Sequence, residues 1–323
     1  MPSTSNANLA PALNSSPETA LTLRNRGLAN ILRMGHCAPS IMQAVLDVSG
    51  LDAQWLVKLV AGLPGGIGNT GNECGGITAP LVLLGLRYGQ DKAVLGLPVV
   101  VYKGHDLLRR FVCCQGTTDC REILGDARIP LRCIGVVRQA PVMLAESSAA
   151  DCAAAFSPAQ REAFGALYAH WVEREFHCAH AVFHRLEPAI HVSEDLLNGS
   201  SGFLGGTVFT GMTCSALAAG IMALGLVRGE IENSHLRVMR MIGLMAVRGD
   251  AFADDVNAFN KTMNRGNRLA QWFTAGFGST QCRATAQCDF STIEGVRGYI
   301  DHDGTARCSA IAESVAQRVL GMI

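Results

Sequence analysis

One cysteine–glycine pattern is written twice in this chain. Gly65-Gly66, Gly71, Cys74 and Gly85-Leu86 recur as Gly205-Gly206, Gly211, Cys214 and Gly225-Leu226, at one ungapped offset of 140 residues. Other pairs follow in the same order. His36-Cys37-Ala38 answers His177-Cys178-Ala179, Thr118-Asp119-Cys120-Arg121 answers Thr280-Gln281-Cys282-Arg283, and Arg132-Cys133 answers Arg307-Cys308. Each half thus carries four cysteines in one order on one scaffold. The fold must be two copies of one unit, and the recurring thiols point to metal or redox chemistry, because cysteines that only fill a core have no reason to recur as a set.

The halves are unequal. Cys74 and Cys120 lie 46 residues apart and Cys214 and Cys282 lie 68 apart; the last interval is 13 residues in the first half and 26 in the second. The insertions fall between shared cysteines, as expected if the cysteines are the fixed points and the spacers are helices or loops. The N-terminal module is expected over 22–150 and the C-terminal one over 157–323, after a polar tail (1–21) expected to be disordered.

Helical signals dominate. Ser157-Pro158-Ala159-Gln160 reads as a capping box with proline in the first turn. Phe164, Leu167, Trp171, Val172 and Phe176 follow at helical spacing, so one long helix is expected up to Pro188, with Cys178 inside it. Ile41–Val48, Leu236–Val247 and Val256–Phe273 carry the same period, whereas the stretch from Pro98 to Phe111 allows helix or a short strand. Alternating patterns are scarce. The expected class is all-α: two tandem helical modules, pseudo-two-fold related, each a small bundle.

With 27 basic and 27 acidic residues the formal net charge is zero, which argues against a nucleic-acid partner. The charged fraction, 17%, is low for a soluble domain. The surplus apolar surface must be covered between the halves, in a homo-oligomer, or at a membrane. Residues 203–227 hold no charge, but five glycines argue for a buried helix rather than a transmembrane segment. No signal peptide is visible, so twelve cysteines suggest the reducing cytoplasm and thiol or metal roles over disulfide staples.

Cys74 and Cys214 each follow a glycine turn at the start of an apolar helix, where a helix N-terminus stabilises a thiolate. Gly65, Gly66 and Gly71 allow tight turns whose N–H groups face an anion. Arg121 and Arg132, with Arg283 and Arg307 in the second copy, place cations next to cysteines in sequence. The neighbouring Cys113-Cys114 pair, Cys152 and Cys288 read chiefly as packing, and His180 with His184 as an incidental pair. Gly66-Ile67-Gly68-Asn69-Thr70-Gly71 matches a dinucleotide fingerprint, but the preceding Trp55–Val60 reads as helix where that fingerprint needs a strand.

The cysteine order, with the segments PGGIGNTGNECGGITAPLVLLGL and CREILG, resembles the C_GCAxxG_C_C family of redox-active proteins. By that resemblance the family's four cysteines fall on Cys37, Cys74, Cys120 and Cys133, and the repeat extends them to Cys178, Cys214, Cys282 and Cys308. The chain then reads as a tandem, divergent member. The GCAxxG core appears here as Glu73-Cys74-Gly75-Gly76-Ile77-Thr78 and Thr213-Cys214-Ser215-Ala216-Leu217-Ala218. Related units occur in a split-Soret type of multihaem protein with an iron–sulfur centre. The resemblance therefore implies electron transfer to a redox partner protein, with a [2Fe–2S] or [4Fe–4S] cluster on each four-cysteine set. A metal-free thiol–disulfide protein, a structural zinc protein and a helical scaffold are the alternatives.

Overall fold

A computed structural model describes residues 9, 12–89, 96–126, 131–150, 156–229, 234–258 and 260–323. The first half contains α1 (Pro17–Met34), α2 (Cys37–Ser49), α3 (Gln54–Leu59), α4 (Gly75–Tyr88), α5 (Gly96–Gln115), α6 (Cys120–Leu124) and α7 (Leu131–Ala149). The second contains α8 (Pro158–Glu173), α9 (Cys178–Leu186), α10 (Glu194–Ser200), α11 (Ser215–Arg228), α12 (His235–Arg248), α13 (Lys261–Phe277), α14 (Cys282–Thr285), α15 (Ile293–Asp301) and α16 (Gly304–Leu320). Extended pairing among the described residues is confined to two isolated antiparallel bridges, Glu73 with Asp119 and Thr213 with Gln281.

Each half places α4 or α11 at its centre. These two helices are buried along nearly their whole length, which explains why they read as uniformly apolar rather than amphipathic. In the first half α2, α5 and α7 pack around α4; in the second α9, α13 and α16 pack around α11 in the same places. The chain is thus all-α with two pseudo-two-fold related halves. The insertions in the second half are α12 and α15.

The halves are not two separate bundles. One continuous apolar core runs from Leu23 and Ile41 in α1 and α2 to Val315 and Val319 in α16. The junction is reciprocal: α10 crosses α4, and α3 crosses α11. A Cβ on Gly85 would lie 2.2 Å from the Asn198 carbonyl oxygen, and one on Gly225 would lie 2.5 Å from that of Lys58. The repeated glycines therefore let one half's backbone touch the other's central helix. At the pseudo-axis the buried Glu73 carboxylate accepts hydrogen bonds from the Thr213 N–H (2.7 Å), the Thr213 hydroxyl (2.5 Å) and the Thr207 hydroxyl (3.0 Å). Asn72 Nδ2 donates to Thr213 and Thr280 across the same junction.

Some expectations are corrected. The helix from Pro158 does not run on to Pro188. It ends at Glu173, because Glu175 takes a left-handed conformation (φ 48°), and α9 restarts at Cys178 with His177 as N-cap. Helix α1 starts at Pro17, inside the segment read as a tail, because the Ser16 hydroxyl caps it by accepting from the Thr19 N–H. Leu9 and Leu13 are buried in the core as well. The stretch after Pro98 is helical, and α13 begins at Lys261 rather than Val256, with Asn260 as its N-cap. The capping box at Ser157 and Gln160 forms as expected. Cys152 lies outside the described residues.

Candidate redox site

All eight series cysteines sit at helix starts. Cys37, Cys120, Cys178 and Cys282 are the first residues of α2, α6, α9 and α14, and Cys74 and Cys214 are the N-caps of α4 and α11. Cys133 lies in the first turn of α7, and Cys308 near the start of α16. Helix N-termini bring backbone N–H groups to two of the sulfurs, Ala38 to Cys37 and Ala216 and Leu217 to Cys214.

Short backbone braces bring the second and third cysteines of each set together. The Cys74 N–H donates to the Thr118 carbonyl (2.9 Å) and the Cys120 N–H to the Asn72 carbonyl (2.7 Å). In the second half Cys214 donates to Thr280 (2.8 Å) and Cys282 to Met212 (2.5 Å). The glycine turns that lead into these braces have an unusual backbone. Residues 65–69 and 205–209 all have positive φ, including Ile67, Thr207 and Val208, where a branched side chain is strained. Each turn is held by the opposite half: Asn267 on α13 donates to the Asn69 carbonyl (3.0 Å), and the His105 ring on α5 meets the Val208 carbonyl (2.5 Å).

In the first half the sulfurs form a chain. Cys37 interacts with Cys74 and Cys74 with Cys120, and Cys133 interacts electrostatically with all three. The Gly65 and Ala38 N–H groups point at the Cys37 sulfur. Gly75 leaves room for that sulfur, since a Cβ there would lie 2.4 Å from it. The bond to Cys74 and burial push Cys37 well above the usual thiol range; the bond to Cys120 does the same for Cys74. Cys133 is pushed up to about 12 by burial.

The second half keeps the quartet but surrounds it differently. Cys178 and the Tyr299 hydroxyl both donate to Cys308; chiefly the Cys178 bond lowers its pKa, with Tyr299 and Arg307 contributing. Cys214 accepts from the Ala216 and Leu217 N–H groups and the Thr285 hydroxyl, yet burial still raises it to about 11. Cys282 is raised well above its usual value, mainly by burial. Cys288, read in the sequence as packing, is a fifth buried thiol near Cys282 and Cys308. No repeat partner signals it, because it lies in the longer second spacer. Trp171, Phe209, Phe290 and Tyr299 wall this side, with successive ring centroids 5.1–6.1 Å apart.

The arginines divide into two roles. Arg121 packs against Gly71 and stacks over the Phe252 ring (4.3 Å), and its charge partly offsets the burial and neighbouring thiols that raise the Cys120 pKa. Arg283 donates to the Thr210 carbonyl (2.9 Å) and acts likewise on Cys282. Arg132 and Arg307 donate to the carbonyls of Ile123 (3.4 Å) and Ala286 (3.2 Å), at the ends of α6 and α14. Arg307 also lowers Cys308, whereas no such charge effect accompanies Arg132 at Cys133. Gly66 and Gly71 serve the turn, with φ of 79° and 89°, and Gly65 alone of the three glycines meets a sulfur.

The histidines are fitted into the scaffold. His177 stacks on His180 at 3.7 Å, His180 meets the Leu197 carbonyl (2.8 Å), and His184 pairs with Glu187 on the surface. Cys113 and Cys114 are exposed on α5.

A family model described as "Putative redox-active protein (C_GCAxxG_C_C)" matches residues 35–147 and again 176–322. The chain belongs to this family, as a tandem member. No curated protein and no solved structure matches it.

Four thiolates are the donor set that iron–sulfur clusters in general take. Among the described residues no group of three or more His, Cys, Asp or Glu side chains is spaced around a single metal ion.

Proposed function

We propose that this protein carries electrons through iron–sulfur clusters held by Cys37, Cys74, Cys120 and Cys133 in one half and Cys178, Cys214, Cys282 and Cys308 in the other. The observation that carries this reading is the convergence of four helix-start cysteines in each half. A bound cluster would supply one-electron exchange. The Gly65 and Ala38 amides and the Arg121 and Arg283 guanidinium groups would offset negative charge, and burial of both sets would limit water access. We place the chain in the cytoplasm, where thiols stay reduced, and assign it a redox partner protein. Among the described residues no helix is long and apolar enough to cross a membrane.

Anaerobic purification followed by iron, sulfide and EPR analysis tests the proposal. Iron and sulfide should co-purify, and Cys120→Ser and Cys282→Ser should each remove about half, as expected for two equivalent ligand sets. An iron-free chain that cannot be reconstituted refutes it. One observation favours a second reading: the Cys37–Cys74–Cys120 contact would equally serve a thiol–disulfide couple. That couple would lower the thiol count by two on mild oxidation of iron-free protein.

A further inference from the structure

The insertion that makes α12 belongs to the second half but lies over the cysteines of the first. It is tethered by the Ser234 N–H to the Arg33 carbonyl (3.0 Å), by His235 to the Leu32 carbonyl (3.0 Å), and by Asn69 Nδ2 to the Phe252 carbonyl (2.5 Å). Its buried face does not join the main core. Val238, Met241, Met245 and Val256 form a small apolar cluster of their own. Between that cluster and the main core lies a cavity of about 90 Å³. Cys37, Cys120 and Cys133 line one part of it, and Met241, Met245 and Met263 another.

We infer that this cavity is a binding site for a small hydroxyaromatic molecule, a single ring bearing an O–H group, seated against the first cysteine set. Three properties of the lining select that class. At about 90 Å³ the space admits nothing larger than one ring. Methionine thioethers are adaptable and attract aromatic rings, and three of them face this space. The third is Asn69, which is 3% exposed and lines the cavity with its Oδ1 lacking a hydrogen-bond partner. A buried acceptor without a donor is costly, and a ligand hydroxyl would satisfy it. A ring in this space would also restore the packing now missing between the two apolar clusters.

The second cysteine set is walled by aromatic side chains and Cys288 instead, so the two halves would differ in use. The first would meet a small molecule and the second would not. Because Cys37, Cys120 and Cys133 line the cavity, the inference is drawn for the iron-free chain, in which these residues are thiols.

The test uses the full chain freed of iron, labelled with ¹³C at the methionine methyls, with iron content measured on the same sample. Phenol and benzene are the probes. Both should shift Met241, Met245 and Met263 ahead of the other methionines. Asn69→Gly keeps the positive φ that position 69 requires (60°) and removes the acceptor. Phenol should weaken about fivefold in that variant, the worth of one hydrogen bond, while benzene is unchanged. Met245→Trp should fill the cavity and abolish both shifts. Shifts spread evenly over the methionines of the wild-type chain, or phenol binding that survives both substitutions in folded protein, would overturn the inference. The titration is read on iron-free protein and the iron assay on anaerobically purified protein, so this inference can fail while the cluster reading stands.

Discussion

Replacing Gly85 by alanine tests the junction between the halves. Alanine is the better helix former, and at an exposed helical glycine the change should stabilise by about 1 kcal/mol. Gly85 lies within α4 where α10 crosses it. The new Cβ would sit 2.2 Å from the Asn198 carbonyl oxygen and 3.2 Å from the carbonyl carbons of Asn198 and Gly199. A comfortable contact needs roughly 1 Å more, and the obstruction is backbone rather than a side chain that can swing away. Overpacking of this kind costs about 3 kcal/mol, so the net loss is about 2 kcal/mol after the helical gain. Gly225→Ala should behave alike, with the Lys58 and Leu59 carbonyl oxygens 2.5 and 2.7 Å from its Cβ. The control is Gly165→Ala on α8, where nothing lies within 4 Å. In a chain of this size 1 kcal/mol moves the thermal midpoint by about 2 °C. Calorimetry on matched preparations should show the two junction variants melting about 4 °C lower and the control about 2 °C higher. If Gly85→Ala and Gly225→Ala raise the midpoint as Gly165→Ala does, the halves do not meet through these helices and the reciprocal junction is wrong.

Glu73→Gln should cost about 2 kcal/mol, because one oxygen cannot serve donors that now share two, and a buried donor left without a partner costs about that much. In urea titrations Thr213→Val should add less on the Glu73→Gln background than on the wild type, and full additivity would refute the link across the pseudo-axis. Burial lowers the pKa of His36 and His180 to about 4, against 6.5 unfolded. The unfolded chain therefore takes up protons first, so stability is complete above about pH 6.5 and is lost as pH falls toward 4, by about 3 kcal/mol per histidine. His180→Gln should flatten the pH dependence of the melting point of iron-free protein across that window, and an unchanged slope would count against burial as the cause.

The repeated elements were the most legible part of this chain. The central helices, the capping box at Ser157 and the cysteine at each glycine turn follow from local pattern, since caps and periodicity act within a few residues. The break between α8 and α9 was harder. Nothing in Trp171–Phe176 interrupts the helical period, and only the matching His36-Cys37-Ala38 and His177-Cys178-Ala179 hinted that Cys178 must begin a helix. Cys288 was not legible, because it sits in a spacer without a counterpart and its position beside Cys308 depends on how α15 folds back.

The sequence by itself determined that the protein is all-helical, that it is one unit used twice, and which eight cysteines recur, because duplication preserves their order and the local pattern around each even where the spacers differ. Tertiary structure decided that the halves share one core, that each glycine turn is braced by the opposite half, and that an insertion in the second half roofs the cysteines of the first. Those features rest on contacts such as Glu73 with Thr213, Asn69 with Phe252, and α12 over Cys37 and Cys133. Such contacts join residues far apart in the chain, where neither helical period nor local spacing carries information about distance.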